Sequence, residues 1–355
     1  MRSWWTARGK GCALASITIV GGGIFGLCCA WELTRRGATV RVVEARHIGA
    51  GSSGGTVGAL APHVPDNWNE KKAFQLDSLL MAPGFWEGVE AASGIPTGYG
   101  RHGRLQPVPD MATADKLAER IAAAGQQWPA GIGMRLIRDA GAVLLPQSPT
   151  GLWLHDDLTA RIAPRAALAS VTAALRVRGV PIDLGQPAGQ PDGTVIWATG
   201  AEGLADLSAD LGRKIGQGVK GQSVLLGFDA PGQPQIFADG LHIVPHADGT
   251  VAIGSTSENS FEHALPDDQA QDLLARAHAI CPALADAPVL DIWAGIRPRA
   301  QSRAPLLGAW PGRPGHYVAN GGFKIGFGMA PGIAHVMADL VLTGSADMPD
   351  GFRLT

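Results

Sequence analysis

Several common features are scarce or missing in this 355-residue chain, and each absence narrows what it can be. There are four cysteines, Cys12, Cys28, Cys29 and Cys281, and they form neither a CxxC pair nor a Cys/His cluster. A zinc module or a disulfide framework is therefore not expected, and no metal site is assigned. Cys28 and Cys29 stand in an apolar run, where a free thiol acts as a small hydrophobe, and the pattern fits a reduced, cytoplasmic chain. Tyr99 and Tyr317 are the only tyrosines, which excludes a tyrosine-rich site. Twenty-nine basic and 31 acidic residues leave a net charge of −2, with no block of five like charges. No nucleic-acid partner and no electrostatic docking on a membrane is expected from that balance. No plain 18-residue apolar run is read from the sequence, so no membrane span is expected. Residues 1–10 are basic and carry Trp4 and Trp5, like the start of a signal peptide. The stretch after them reads as a glycine-interrupted strand and turn rather than an apolar core with a cleavage site. The 49 glycines lack a Gly-X-Y period, which excludes collagen. With 46% hydrophobic and 17% charged residues the chain is globular, and at ~150 residues per domain its length suggests two domains.

The strongest positive signal lies at residues 16–44. A β-branched strand over 16–20 leads into Gly21, Gly23 and Gly26, spaced G-x-G-x-x-G. Next comes a helix over 24–36, with Leu27, Ala30, Trp31 and Leu33 on its buried side, then a second strand over 38–43 closing on Glu44. Gly21 allows the tight turn, Gly23 the approach of a pyrophosphate, and Gly26 the close packing of helix on strand. The helix N-terminus offers free N–H groups to phosphates, and Glu44 can accept hydrogen bonds from a ribose. The whole unit in under 30 residues reads as a dinucleotide site. Glu44 fits the adenosine ribose of FAD or NAD and argues against a 2′-phosphate. The next segment, RHIGAGSSGGTVGALA, is built of small residues that let the backbone run against a flat ligand, where an NAD dehydrogenase would have an ordinary helix.

Here the chain resembles the D-amino-acid oxidase and glycine oxidase superfamily, over residues 16 to about 345. IVGGGIFGLCCAWELTRRGATVRVVEA is similar to that family's FAD-binding opening, and GAGSSGGTVGAL to its second FAD segment. TVIWATG (194–200) resembles the strand returning to the adenine side, and YVANGGFKIGFGMAP (317–331) the C-terminal flavin loop. The resemblance carries cofactor contacts onto Gly21, Gly23, Ile24, Phe25, Gly26, Glu44 and Ala45. It adds Ser52, Ser53 and Gly54, then Thr199 and Gly200, then Gly322, Phe323, Lys324, Ile325 and Gly326. Pro331 is expected near the start of a helix running to 342, a favoured early position. The positive end of that helix would favour a reduced flavin.

For the substrate, DIWAGIRPRAQSRAPLLG (291–308) resembles the family's W-x-G-x-R-P segment, whose arginine pairs with the substrate carboxylate. Arg297 holds that position, and a guanidinium fork suits two carboxylate oxygens. Arg299 and Arg303 are expected to be exposed or structural. LHIVPHADGTVAIGST (241–256) reads as a hairpin turning at Asp248-Gly249. It places His242 where relatives carry a tyrosine against the carboxylate, a departure from a strict glycine oxidase pattern. Lys324, in the C-terminal loop, is a third candidate, for the carboxylate or for a water at flavin N5. His63 is weighed as a residue near the ring and more readily as structural. No cysteine stands in RPRAQSRAP, so FAD is expected to be non-covalent.

The resemblance implies an α/β fold, a Rossmann-like FAD-binding domain plus a substrate domain with a mixed or antiparallel sheet. The expected division gives 14–85, 150–215 and 300–350 to FAD and 86–149 and 216–299 to substrate, with 1–13 as an extension. Strands are expected at 98–108 and 220–228, and the 179–195 linker is short where relatives have a meander. The implied reaction is oxidation of the C–N bond of a small amino acid or amine by hydride transfer to flavin N5. The imine is then hydrolysed and O2 reduced to H2O2. Alternatives within the fold are a dehydrogenase feeding a quinone or carrier and an oxidase of the tRNA carboxymethylaminomethyl group. A further one is a non-catalytic flavoprotein subunit of a heteromeric oxidase; a homo-oligomer is also compatible with the chain.

Overall fold

The computed structural model describes residues 16–354; the 1–13 extension and Cys12 lie outside them. Two sheets organise the chain. The first has six strands, in spatial order Leu306–Ala309, His316–Asn320, Thr194–Trp197, Ser16–Val20, Thr39–Glu44 and Ile182–Leu184. All neighbours are parallel except the first pair. Its central strands are continuous β-branched and apolar runs, as a parallel sheet covered on both faces requires. The helix Ile24–Arg35 crosses between Ser16–Val20 and Thr39–Glu44, and Leu27, Cys28, Cys29, Ala30, Trp31 and Leu33 are all buried on it. Within the 179–195 linker, the three-residue strand Ile182–Leu184 extends this sheet by pairing with Thr39–Glu44.

The second sheet has eight strands, in spatial order Val289–Ala300, Gly216–Gly227, Thr250–Gly254, Leu241–Pro245, Gln235–Ala238, Arg104–Pro107, Trp153–Asp156 and Met134–Ile137. It is antiparallel but for one pair, Gln235–Ala238 beside Arg104–Pro107. The fold is therefore α/β with a parallel-centred sheet and a mixed one, as expected. Two details differ. Trp153–Asp156 pairs with Arg104–Pro107 and Met134–Ile137, so it belongs to the second sheet although it falls in the 150–215 segment. The strand expected over 98–108 is confined to Arg104–Pro107, since Gly98 and Gly103 take left-handed φ values of 72° and 79°.

The helix Gly326–Thr343 corrects two expectations. It is long and apolar enough to span a membrane by length and composition, yet more than half of it is buried inside the protein. It also begins at Gly326, so Pro331 lies in its second turn rather than near its start. Proline there removes a ladder donor and pushes on the preceding turn. Ser78, on the helix Glu70–Ser93, occupies the gap that opens. Its hydroxyl donates to the Gly328 carbonyl at 2.8 Å and accepts from the Gly332 N–H at 3.0 Å. The serine is fully buried, so no water can replace it. Ser78→Ala is expected to lower unfolding stability by about 1–3 kcal/mol, measured by denaturant titration; an unchanged midpoint would show that the two backbone groups pair without it.

Candidate active site

The nucleotide end is shaped by where side chains cannot fit. At Gly21, with φ +117°, an added Cβ would lie 2.4 Å from the Ala198 carbonyl oxygen. At Gly26 it would lie 2.0 Å from the Gly21 carbonyl, so the helix rests directly on the turn before it. Gly23 caps the helix Ile24–Arg35 without a side chain of its own. Ser53 supplies the missing acceptor from another segment, its Oγ taking the Ile24 N–H at 3.0 Å. The other N–H groups of that first turn have no intrahelical acceptor, and Gly23, Ile24 and Phe25 line a cavity of about 700 Å³. Glu44 is aimed by backbone: Oε2 accepts from the Gly22 N–H at 2.7 Å and Oε1 from the Arg46 N–H at 2.9 Å. Each oxygen keeps a lone pair for a hydroxyl. Glycine cradle, open helix end and aimed carboxylate together fit the adenosine and pyrophosphate of FAD.

The cavity runs between the two sheets and gathers nearly every residue singled out from the sequence. Gly21, Gly23, Ile24, Phe25, Glu44, Ala45, Ser52, Ser53, Thr199, Gly200 and the whole of 322–326 line it, together with Arg297 and His242. Gly26 and Gly54 do not. Gly26 is turned against the strand, and a Cβ on Gly54 would strike the Gly49 carbonyl at 2.4 Å. Their contribution is packing. His63 does not line the cavity either: its backbone N–H and its Nδ1 both meet the Gln75 Oε1, which makes it structural. Arg299 is half-buried with its guanidinium over the Phe323 ring, 5.6 Å from the centroid, and Arg303 is exposed.

Arg297 is the most constrained group at the substrate end. Its strand, Val289–Ala300, pairs along its length with Gly216–Gly227, and the guanidinium lies flat over Gly221. A Cβ at Gly221 would fall 1.9–2.1 Å from its three outer atoms. Nη1 donates to the Thr256 carbonyl at 3.0 Å. Arg297 is buried, and among the described residues no carboxylate lies within salt-bridge distance of it. Burial pulls its pKa down to about 10, opposed by the charge of Glu258. Lys324 is also drawn down, by burial and then by Arg297. An unpaired guanidinium inside a protein is costly, and here it borders a cavity with donors to spare.

Four contributors were not singled out from the sequence. Trp293 covers Gly55, where a Cβ would meet its ring at 3.0 Å. Phe237 packs on His242 with ring centroids 4.7 Å apart. Asn320 joins two distant segments, donating from Nδ2 to the Gly200 carbonyl at 2.9 Å and accepting the Gly321 N–H at 2.8 Å. Gly221 makes room for Arg297. The W-x-G pattern held a signal for Trp293, and Phe237 faces His242 across a neighbouring strand pair; nothing local marks Asn320 or Gly221, because Gly200 and Arg297 are remote in sequence.

His242 is not a solvent-facing hairpin histidine. Its Nδ1 is buried and has no protein partner. Burial, then the Arg104 and Lys324 cations, push its pKa down to about 3. It is therefore a neutral imidazole at physiological pH. Unfolded, it titrates at about 6.5, so the unfolded chain takes up the extra proton and this residue's contribution to stability falls as pH drops below that value. Its imidazole proton resonance, assigned by its loss in His242→Gln, is expected not to shift between pH 5 and 9. A midpoint near 6.5 would refute the buried neutral form.

The chain matches the DAO family, FAD dependent oxidoreductase, over residues 16–340. The glycine oxidase of Geobacillus kaustophilus (strain HTA426) is 28% identical to it, with 92% of each chain covered. The crystal structure of glycine oxidase from Geobacillus kaustophilus superposes with a TM-score of 0.83 at 23% identity, covering 96% of this chain and 98% of that one. That of an iminodiacetate oxidase from Chelativorans sp. BNC1 also gives 0.83, at 23% identity, covering 95% and 98%. At these identities the superpositions establish the fold. The family match, spanning both sheets and the cavity between them, establishes that this chain belongs to the DAO family of FAD-dependent oxidoreductases.

Proposed function

We propose that the chain oxidises the C–N bond of a small amino acid of the glycine, sarcosine or D-amino-acid type, held by its carboxylate on Arg297. The observation that carries this reading is the buried guanidinium over Gly221, with one backbone acceptor and no ion-pair partner among the described residues. A two-oxygen anion satisfies it better than any neutral ligand. The names of the relatives, glycine oxidase and iminodiacetate oxidase, support the same class of substrate. The bound FAD supplies the two-electron oxidation; the chain supplies position and field.

The field has a definite direction. Arg297 and Lys324 are the cations of the substrate end, while the acidic lining residues, Glu44 and Glu202, are on segments of the nucleotide end. Two neighbouring cations disfavour an ammonium, so the substrate amine is biased towards its free base, the form from which the C–N bond can be oxidised. No dedicated side-chain base is then needed. His242, held neutral, can donate or accept one hydrogen bond without adding charge. Trp293 and Phe237 close apolar surface around the reacting end and limit the side chain admitted. We assign binding of FAD to the lining residues from Gly21 to Gly326, without a covalent link, since the described cysteines are buried in helix or loop away from the lining. We assign FAD to the six-stranded sheet unit and substrate to the eight-stranded one. Arg297, Lys324 and His242 line the same cavity as the FAD-binding residues, which supports a catalytic chain over a non-catalytic subunit. The free cysteines Cys28, Cys29 and Cys281 favour a cytoplasmic setting. O2 is the proposed acceptor, which peroxide formation distinguishes from a carrier.

Anaerobic addition of glycine, sarcosine, proline isomers or D-amino acids to the yellow protein is expected to bleach the flavin with one of these classes, and air to restore colour with release of peroxide. No bleaching by any of them, with FAD bound, would overturn the substrate class. Arg297→Met is expected to raise KM about 10- to 100-fold, the loss of a charged hydrogen-bond pair, with FAD content unchanged. Gly221→Ala is expected to do the same at one remove, because the methyl takes the guanidinium's place.

A further inference from the structure

The strand Gly216–Gly227 separates Arg297 from a second set of charges. On its far edge from Arg297 runs segment 256–258, joined to it by backbone hydrogen bonds between Lys220 and Glu258 of 3.0 and 2.9 Å. Lys220 and Gln222 alternate with Gly221, so their side chains leave the opposite face of the strand. Lys220 is about 1% exposed, a cation almost never found buried without partners. Its Nζ lies 3.4 Å from Glu258 Oε2 and contacts Asp267 Oδ2. Gln222 Nε2 donates to Asp267 Oδ1 at 2.6 Å and to Glu258 Oε1 at 3.1 Å, and its Oε1 accepts the Asp267 N–H at 2.9 Å. Thr256 is the link to the cavity. Its hydroxyl donates to Glu258 Oε1 at 2.7 Å and accepts the Gln222 N–H at 2.9 Å, while its carbonyl takes Arg297 Nη1 at 3.0 Å.

We propose that Glu258 and Thr256, braced by Lys220, Gln222 and Asp267, are positioning residues that supply the counter-charge of Arg297 from behind the strand and leave its remaining donors open to the substrate. Glu258 and Asp267 carry two negative charges and Lys220 one positive. The set therefore presents one net negative charge to one guanidinium. A carboxylate placed directly on Arg297 would occupy the fork and compete with the ligand. Held by Thr256, Gln222 and Lys220 instead, Glu258 acts through space. It opposes the downward pull of burial on Arg297, and the Thr256 carbonyl fixes the plane of the guanidinium. The other charged group facing Arg297 is Lys324, which acts in the opposite sense. The inference rests on Arg297 as the carboxylate anchor.

The test uses FAD-loaded protein and glycolate, a carboxylate without an amine, whose binding is followed by its perturbation of the flavin spectrum between pH 7 and 10.5. In the parent, affinity falls at alkaline pH as Arg297 loses its proton. In Glu258→Gln that fall is expected about one pH unit earlier, with affinity at pH 9.5 reduced about threefold. FAD content stays the same, and Glu258→Asp restores most of the loss. Lys324 titrates in both proteins and leaves the difference intact. With amino acid substrate the change is expected in KM rather than kcat. If Glu258→Gln does not fold, Thr256→Val, which keeps the carbonyl and removes the hydroxyl link, is expected to shift the profile in the same direction. An unchanged pH profile in the folded variant, while Arg297→Met weakens glycolate binding about tenfold or more, overturns this inference alone. Glycolate bound as tightly by Arg297→Met as by the parent overturns the anchor itself, and this inference with it.

Discussion

A positive charge held inside the protein without a direct partner is the constraint around which this molecule is arranged. Arg297 is buried at the junction of two sheets, with its Nη1 on the Thr256 carbonyl. An arginine so placed is destabilising unless something answers it. The fold answers in part through Glu258, set beyond the neighbouring strand, and leaves the rest for a ligand. Glycine at 221 meets the same demand, because the guanidinium has to lie on the strand to reach both the Thr256 carbonyl and the cavity. The edge-to-edge order of three backbone segments thus builds the anion site we propose.

The nucleotide end solves a different problem with different means. There the ligand brings the charge, and the protein brings backbone. Gly21 and Gly26 let strand, turn and helix meet at distances no side chain would allow. The helix start is left open except for the Ile24 N–H, which Ser53 takes. Asn320 then ties the start of the helix Gly200–Asp210 to the loop leading into Gly326–Thr343. One amide therefore holds two walls of the cavity in register. Such a site depends on fixed main-chain geometry, which explains why its sequence marks are glycines and serines rather than charged residues.

That difference decides what a linear reading can show. The spacing of Gly21, Gly23, Gly26 and Glu44 is local, and local spacing survives in one dimension; all except Gly26 line the cavity. Half of the six-stranded sheet is legible for the same reason: Ser16–Val20 and Thr39–Glu44 as β-branched runs separated by a helix, and Thr194–Trp197 through the family resemblance. Gly54 reads as a cofactor contact because a glycine packed against the Gly49 carbonyl looks the same in sequence as one facing a ligand. Pro331 reads as an early-helix proline because Ser78, 253 positions away, is what makes it tolerable in the second turn. Gly221, Asn320 and the Thr256–Glu258 pair are invisible in isolation. Gly221 and the Thr256–Glu258 pair acquire their meaning from partners brought alongside by the second sheet, and Asn320 from Gly200, brought alongside by the first; no run of residues announces either strand order.

Neutrality at His242 completes the electrostatic logic. Arg297 and Lys324 already crowd two cations into the substrate end, and Arg104 stands close by, paired with Asp156 at 2.9 Å. A further protonated group there would repel all three. Burial against Phe237 and the proximity of these cations keep the imidazole uncharged. The substrate end therefore carries two positive charges beside a neutral donor, with no acid among its lining residues. On the proposed function, an amino acid entering as a zwitterion meets attraction at its carboxylate and repulsion at its ammonium. The field that would anchor the one group would loosen the proton on the other, so that binding and activation arise from a single arrangement of charge.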